Sequence, residues 1–227
     1  MCGRYVTRVD AALEREFALG RVRWRAGERF NVAPTQPVPV VRLGDDGVRE
    51  GLDMRWGLVP FFAHGEPGPY STINARVESL RSSPAYRGAW KHAQRCLVLA
   101  RGFYEWQAVA GRKQPWFIAC ADQPTFAFAG LWDRSVPPDG EPLLSCTIVT
   151  LPASPLMSRI HNTKQREPAI LRRADLDAWL GSAADEAFAC LRPYPDELRS
   201  AWPVSTRVNS PRHEGPELLE RVVESAS

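Results

Sequence analysis

Lysine is almost absent from this chain. Only Lys91, Lys113 and Lys164 stand among the 29 basic residues, so nearly all positive charge is arginine, whose planar fork can grip phosphate through two hydrogen bonds. Arginine-leaning codon usage yields the same composition, so the placement of particular arginines matters more than their number. A strong charge imbalance is also missing: a formal net charge of +3 falls well short of a domain held to nucleic acid by bulk charge. No apolar run approaches the ~20 residues of a bilayer-spanning helix, and Met1–Asp10 has no apolar signal core. A soluble, cytoplasmic protein is the expectation. Paired cysteines are lacking too. Cys2, Cys96, Cys120, Cys146 and Cys190 are odd in number and widely spaced with no C-x-x-C, which argues against a disulfide framework and against a zinc or other metal site. Cys96, Cys120 and Cys146 fall in apolar runs and read as buried thiols. The chain has no G-x-G-x-x-G, Walker loop, H-E-x-x-H or G-x-S-x-G. Dehydrogenation, nucleotide hydrolysis and zinc proteolysis thereby lose most of their support.

What is present is enough apolar sequence, 44% of 227 residues, for one domain with a sizeable core. No linker or repeat interrupts it, and the last ~10 residues are expected to be flexible, as chain ends often are. Thr7–Leu19 predicts a first helix with a Thr7-x-x-Asp10 capping box and Gly20 as its stop. Val38–Leu43 and Val48–Met54 flank Gly44-Asp45-Asp46-Gly47, a hairpin signal. Ser83-Pro84 opens a short helix to about Lys91, since serine caps and proline fits the first turn. Cys96–Ala100, Phe103–Gln107, Trp116–Ala121, Phe126–Leu131 and Leu144–Thr150 are apolar or aromatic runs separated by turn residues, as in a meandering sheet. Asp175–Leu180 and Ser182–Leu191 read as helices, the second with a Ser182-x-x-Asp185 box, before an extended Pro203–Val208. Without βαβ periodicity this is an α+β pattern with a mainly antiparallel core. His64–Tyr70, rich in glycine and proline, reads as a surface loop.

Chemistry begins at the second residue. Removal of Met1 would leave Cys2 with an amine and a thiol on adjacent carbons, a pair that condenses with an aldehyde to an imine and then closes to a thiazolidine. An α-amino group, with pKa ~7.7–8.0, is a better nucleophile near neutral pH than lysine. If Met1 is retained, Cys2 is an ordinary thiol. Beyond that, polar residues sit in otherwise apolar sequence, a costly placement unless they are paired or used. The segments are Met1-Cys2-Gly3-Arg4-Tyr5, Ile73-Asn74-Ala75-Arg76-Val77-Glu78, Gly102-Phe103-Tyr104-Glu105-Trp106 and Ile160-His161-Asn162-Thr163-Lys164. Each admits a structural reading as well: Glu105 on a solvent face, Asn74 in a turn, His161 at a strand or loop end.

Together with Phe30-Asn31-Val32-Ala33-Pro34-Thr35, Arg55-Trp56-Gly57-Leu58-Val59-Pro60 and Val204-Ser205-Thr206-Arg207-Val208-Asn209, these segments resemble the SOS-response-associated peptidase family, also described as abasic-site processing or SRAP proteins. The resemblance implies a compact domain with a β-rich, barrel-like core and peripheral helices, and a basic cleft for single-stranded DNA. It implies that Cys2 becomes the mature N-terminus and bonds covalently to the aldehyde of an abasic site. The imine stage permits β-elimination, a weak lyase activity, and Glu105 could reverse the link; Met1 leaves by self-processing, as the family name suggests, or through a general aminopeptidase. Asn74 would orient the amine, Glu105 would exchange protons, and His161 would serve sugar-ring opening. Arg4, Arg76 and Arg166 become phosphate ligands, with solvated surface arginine as the alternative, and Phe61 and Phe62 a base-stacking pair unless they are buried. No cofactor or membrane is implied; a monomer, nucleoid-associated on DNA, is expected. Two departures stand out. Relatives often carry His-x-Arg-x-Pro, whereas Asn162–Gln165 here separate His161 from Arg166-Glu167-Pro168, and Glu167 is an acid that must point away from DNA or pair with Lys164. Two rival readings remain: a self-processing cysteine hydrolase using the Cys2 thiol, and a noncatalytic reader of single-stranded DNA.

Overall fold

Apolar runs that bury both faces of each strand build the centre of the molecule. The computed structural model describes residues 2–25 and 27–222. Its strands are β1 Tyr5–Thr7, β2 Arg21–Val22, β3 Arg29–Val32, β4 Pro37–Leu43, β5 Arg49–Trp56, β6 Asn74–Arg76 and β7 Arg95–Ala100. They continue as β8 Gly102–Val109, β9 Arg112–Cys120, β10 Phe126–Ser135, β11 Leu143–Pro152, β12 Arg166–Pro168, β13 Ile170–Leu171 and β14 Arg199–Pro203. The α-helices are α1 Ala11–Glu16, α2 Pro84–Lys91, α3 Pro155–Ile160, α4 Leu176–Gly181 and α5 Ala184–Ala189.

Five strands close on themselves in the order β11-β10-β7-β4-β5, antiparallel until β5 meets β11 in parallel at Ser145↔Arg55 and Cys146↔Trp56. A second sheet runs β14-β9-β8-β1-β3. This is the α+β, barrel-like architecture expected. Period-two alternation sorts the side chains. Val38, Val40, Cys96, Val98, Phe128, Cys146 and Ile148 form one core with Tyr5 and Trp56. Their neighbours Val41, Leu97, Leu99, Ala129 and Val149 form another with Phe17, Trp90, Trp179 and Ala187 from the helical layer. At Gly130 an added Cβ would stand 2.8 Å from Cys96 Sγ and 3.1 Å from Thr147 O, so close strand packing requires glycine there.

Several boundaries move for identifiable reasons. Thr7 belongs to β1, where its hydroxyl donates to Leu99 O, and Asp10 itself caps α1 by accepting from the Ala12 and Leu13 amides. The hairpin of β4 and β5 and the α2 span are as expected, although the Ser83 side chain makes no capping bond. Ser182 does not cap α5 either: Ala183 holds the cap position, with no side-chain bond. The predicted extended stretch ends at Pro203, and Thr206–Asn209 coils into a 3-10 turn capped by Ser205. Near the end Leu218 is buried and Arg221 bridges Val204, while 223–227, part of the stretch expected to be flexible, lie outside the described residues. Among the described residues no helix is long and apolar enough to cross a membrane.

Candidate active site and nucleic-acid interface

Strand alternation decides where Glu105 points. Tyr104 packs on Phe117 on one face of β8, so Glu105 returns to the face of Phe103, which belongs to the barrel-side core. Its carboxylate is 2% exposed, and burial raises its pKa to about 7. His161 caps the C-terminus of α3, a helix the sequence reading omitted although Ser154-Pro155 repeats the Ser-Pro start of α2. The ring Nδ1 lies 2.9 Å from Arg166 O; a carbonyl only accepts, so Nδ1 carries the proton and Nε2 is left as the acceptor. That Nε2 is 3.7 Å from Glu105 Oε2. Burial lowers the His161 pKa, favouring the neutral ring. A neutral imidazole beside a carboxyl titrating near neutrality is a pair able to pass a proton either way.

Asn74 reaches the same place from β6, held in parallel register at Ile148↔Asn74. Its Nδ2 donates to Cys2 O at 2.8 Å, and its buried Oδ1 has no hydrogen-bond partner among the described residues. The Tyr86 hydroxyl on α2 donates to Asn74 O at 3.1 Å and so fixes the strand that carries the amide. Cys2 is fully buried in the core that contains Tyr5, Trp56 and Cys146. Burial first, and then the Glu105 charge, pushes the Cys2 thiol pKa far up, so the thiol is held protonated. Cys2, Asn74, Glu105 and His161 are thus brought together. Glu105 and His161 line a pocket of about 510 Å³ whose walls also include Ile73, Trp106, Lys113, Lys164 and Asn209. Lys113, Lys164, Asn209 and Tyr86 were not singled out as site residues in the sequence. Lys164 and Asn209 fell within segments already noted, and the rarity of lysine was a further signal for Lys113 and Lys164.

The proposed DNA contacts divide. Phe61 and Phe62 are 58% and 49% exposed and stand edge to face at 5.5 Å, so they are not the buried pair that the sequence also allowed. Phe61 N donates to buried Asp133 at 2.9 Å, fixing the turn that carries both rings. The rings share a groove with Arg87 and Lys91 of α2. Arg76 is exposed, one strand repeat from Asn74 on the same face. Arg4 and Arg166 are already engaged: Arg4 donates to Asn31 Oδ1, Val208 O and Asn209 O, and Arg166 grips both oxygens of Glu78 while donating to Thr150 O. Glu167 points inward. It accepts from Ser154 N and pairs with Arg199 at 3.2 Å, both side chains 1% exposed, rather than with Lys164. Arg199→Ala would strand that carboxylate, and a loss of about 3–5 kcal/mol of stability is expected. Urea unfolding midpoints check it; an unchanged midpoint would show that the pair is dispensable.

A five-stranded barrel flanked by helices, with a buried Cys2 and Asn74 next to a carboxyl and an imidazole that line a pocket, defines an α+β protein with proton-exchanging groups gathered at one place. The chain belongs to the SOS response associated peptidase (SRAP) family, whose profile matches residues 1–211. It is 37% identical over 196 residues to the abasic site processing protein YoqW of Bacillus subtilis (strain 168), covering 84% of this chain and 85% of that relative. It is 34% identical over 264 residues to the abasic site processing protein HMCES of Gallus gallus, covering 96% of this chain and 77% of that one. A crystal structure of a Bacteroides thetaiotaomicron protein, 26% identical, superposes with a TM-score of 0.82 over 96% of this chain and 100% of that one.

Proposed function

We propose that this protein captures abasic sites in single-stranded DNA by forming a thiazolidine between Cys2, freed of Met1, and the aldehyde of the ring-opened sugar. The observation that carries the reading is the meeting of Asn74, Glu105 and His161 around Cys2, within a family whose relatives are named for abasic site processing. The freed α-amine attacks the aldehyde carbon and water leaves to give an imine. The Cys2 sulfur then adds to the imine carbon while its proton is transferred to nitrogen. Because the buried thiol holds its proton, Glu105 as carboxylate is the group that removes it. His161 assists sugar-ring opening, and the Asn74 amide, already bonded to Cys2 O, orients the amine.

The exposed Phe61 and Phe62 stack bases, and Arg76 meets the backbone; Arg4 and Arg166 join it where spare N–H groups reach a phosphate. Run backwards, the Glu105 step reverses the link, and elimination from the imine gives a weak lyase. Met1 leaves by self-processing or by an aminopeptidase. The protein works without a cofactor as a cytoplasmic monomer, nucleoid-associated on DNA.

Intact mass after incubation with an abasic single strand tests the proposal. The expected species is the chain without Met1 plus the strand, less one water. Reversible, salt-sensitive binding with no covalent species would leave only a DNA reader, and release of a peptide or amide product would favour the hydrolase.

A further inference from the structure

We propose that Lys113 and Lys164 form a phosphate subsite in the pocket of Glu105 and His161, holding a phosphodiester that flanks the base-free sugar. The inference rests on the abasic-site reading and adds to it the group by which the lesion itself is gripped. A nucleotide without a base offers only its sugar and its phosphates. The pocket must therefore hold a phosphate, yet the groups beside Cys2 supply little positive charge: Glu105 is neutral or negative there and His161 is neutral. Lys113 and Lys164 are the lysines in its lining, and Lys164 lies close enough to Glu105 for its charge to favour the carboxylate.

Their convergence is built into the fold. Ala108 of β8 is paired with Lys113 of β9, three residues beyond Glu105. From the other side Asn162 clasps the same Ala108, accepting from its amide at 2.9 Å and donating to its carbonyl at 3.0 Å. Gln165 closes the turn with φ +53, its amide donating to His161 O at 3.0 Å and its side chain to Asn162 O at 3.2 Å. The turn that carries Thr163 and Lys164 is therefore pinned against the end of β8. Both lysines are exposed, on backbone held by these bonds and by the β8–β9 pairing. An ammonium is a compact point charge that follows a phosphate through several orientations, whereas arginine demands a planar fork. A flexible strand pivoting about a sugar without a base suits the former, and two of the chain's three lysines stand here.

The test uses the whole protein and a single strand bearing a tetrahydrofuran abasic analogue, which binds but has no aldehyde. Lys164→Ala is expected to flatten the slope of log K against log salt by about 0.7 and to weaken binding about fourfold at 0.15 M salt. Lys113→Ala should do the same, and Lys164→Arg, which keeps the charge, should recover most of the affinity. Strands with a neutral methylphosphonate at one flanking linkage at a time should abolish the Lys164→Ala penalty at one position. The subsite is overturned if Lys164→Ala binds like the parent, if the penalty survives every neutral linkage, or if borohydride traps an aldehyde-bearing strand on Lys164. Failure of the parent protein to capture such a strand at all would instead sink the underlying abasic-site reading.

Discussion

One residue inserted ahead of Cys2 is expected to abolish covalent capture of abasic strands. The Cys2 nitrogen would become an amide, whose lone pair is delocalised and cannot form an imine. The new terminal amine would stand about 3.8 Å away along the chain, without a thiol on the neighbouring carbon to close a five-membered ring. Cys2→Ala separates the two nucleophiles. It keeps the amine and the Asn74 contact, which is made to the Cys2 backbone carbonyl. An imine should still form, visible only when borohydride reduces it, while the adduct that survives denaturation disappears. Denaturing gels and intact mass with and without borohydride read both results. An adduct of undiminished stability from Cys2→Ala would reject the thiazolidine.

Glu105→Gln is the second large effect, a slowing of capture by about 10²–10⁴-fold with noncovalent affinity for the strand nearly intact. Glutamine keeps the shape but removes the proton exchange. In the parent protein the rate should bend near pH 7, where Glu105 passes from acid to carboxylate, and the variant should lose that inflection. Stability offers an independent check with a definite sign. Burial raises the Glu105 pKa from about 4.5 to about 7, so between those values the folded chain holds a proton that the unfolded chain has released. Stability then declines as pH rises through this window, by on the order of 3 kcal/mol, and Glu105→Gln should flatten the profile there. A variant that loses strand affinity along with rate would assign Glu105 to structure instead.

Much of the fold was legible because the signals are local. The barrel strands show as apolar runs since each is covered on both faces, by the inner core and by the helical layer. The Gly44–Gly47 turn and the Ser83-Pro84 start act within a few residues. The same Ser-Pro signal marks α3 at Ser154-Pro155, so that omission was a misreading rather than a silence of the sequence. Position two of the chain and the polar residues in apolar segments left Cys2, Asn74, Glu105 and His161 open to a structural reading, and only the family resemblance of the segments assigned them to a site.

Their relations were not written locally. Asn74 meets Cys2 across 72 positions because β6 lies in register on β11, and Glu105 faces His161 because α3 ends where β8 turns its inward face. Thr7 and Ser182 carry good capping side chains, yet strand pairing claims the first and the second stands one residue short of the helix cap. The inward turn of Glu167 depends on an arginine 32 residues away. Sequence thus determined which elements form and which chemical groups are available, through interactions spanning a turn or a strand repeat. Tertiary packing alone decided burial, and burial sets the proton affinities of Cys2, Glu105 and His161, since the cost of charge depends on everything that surrounds it.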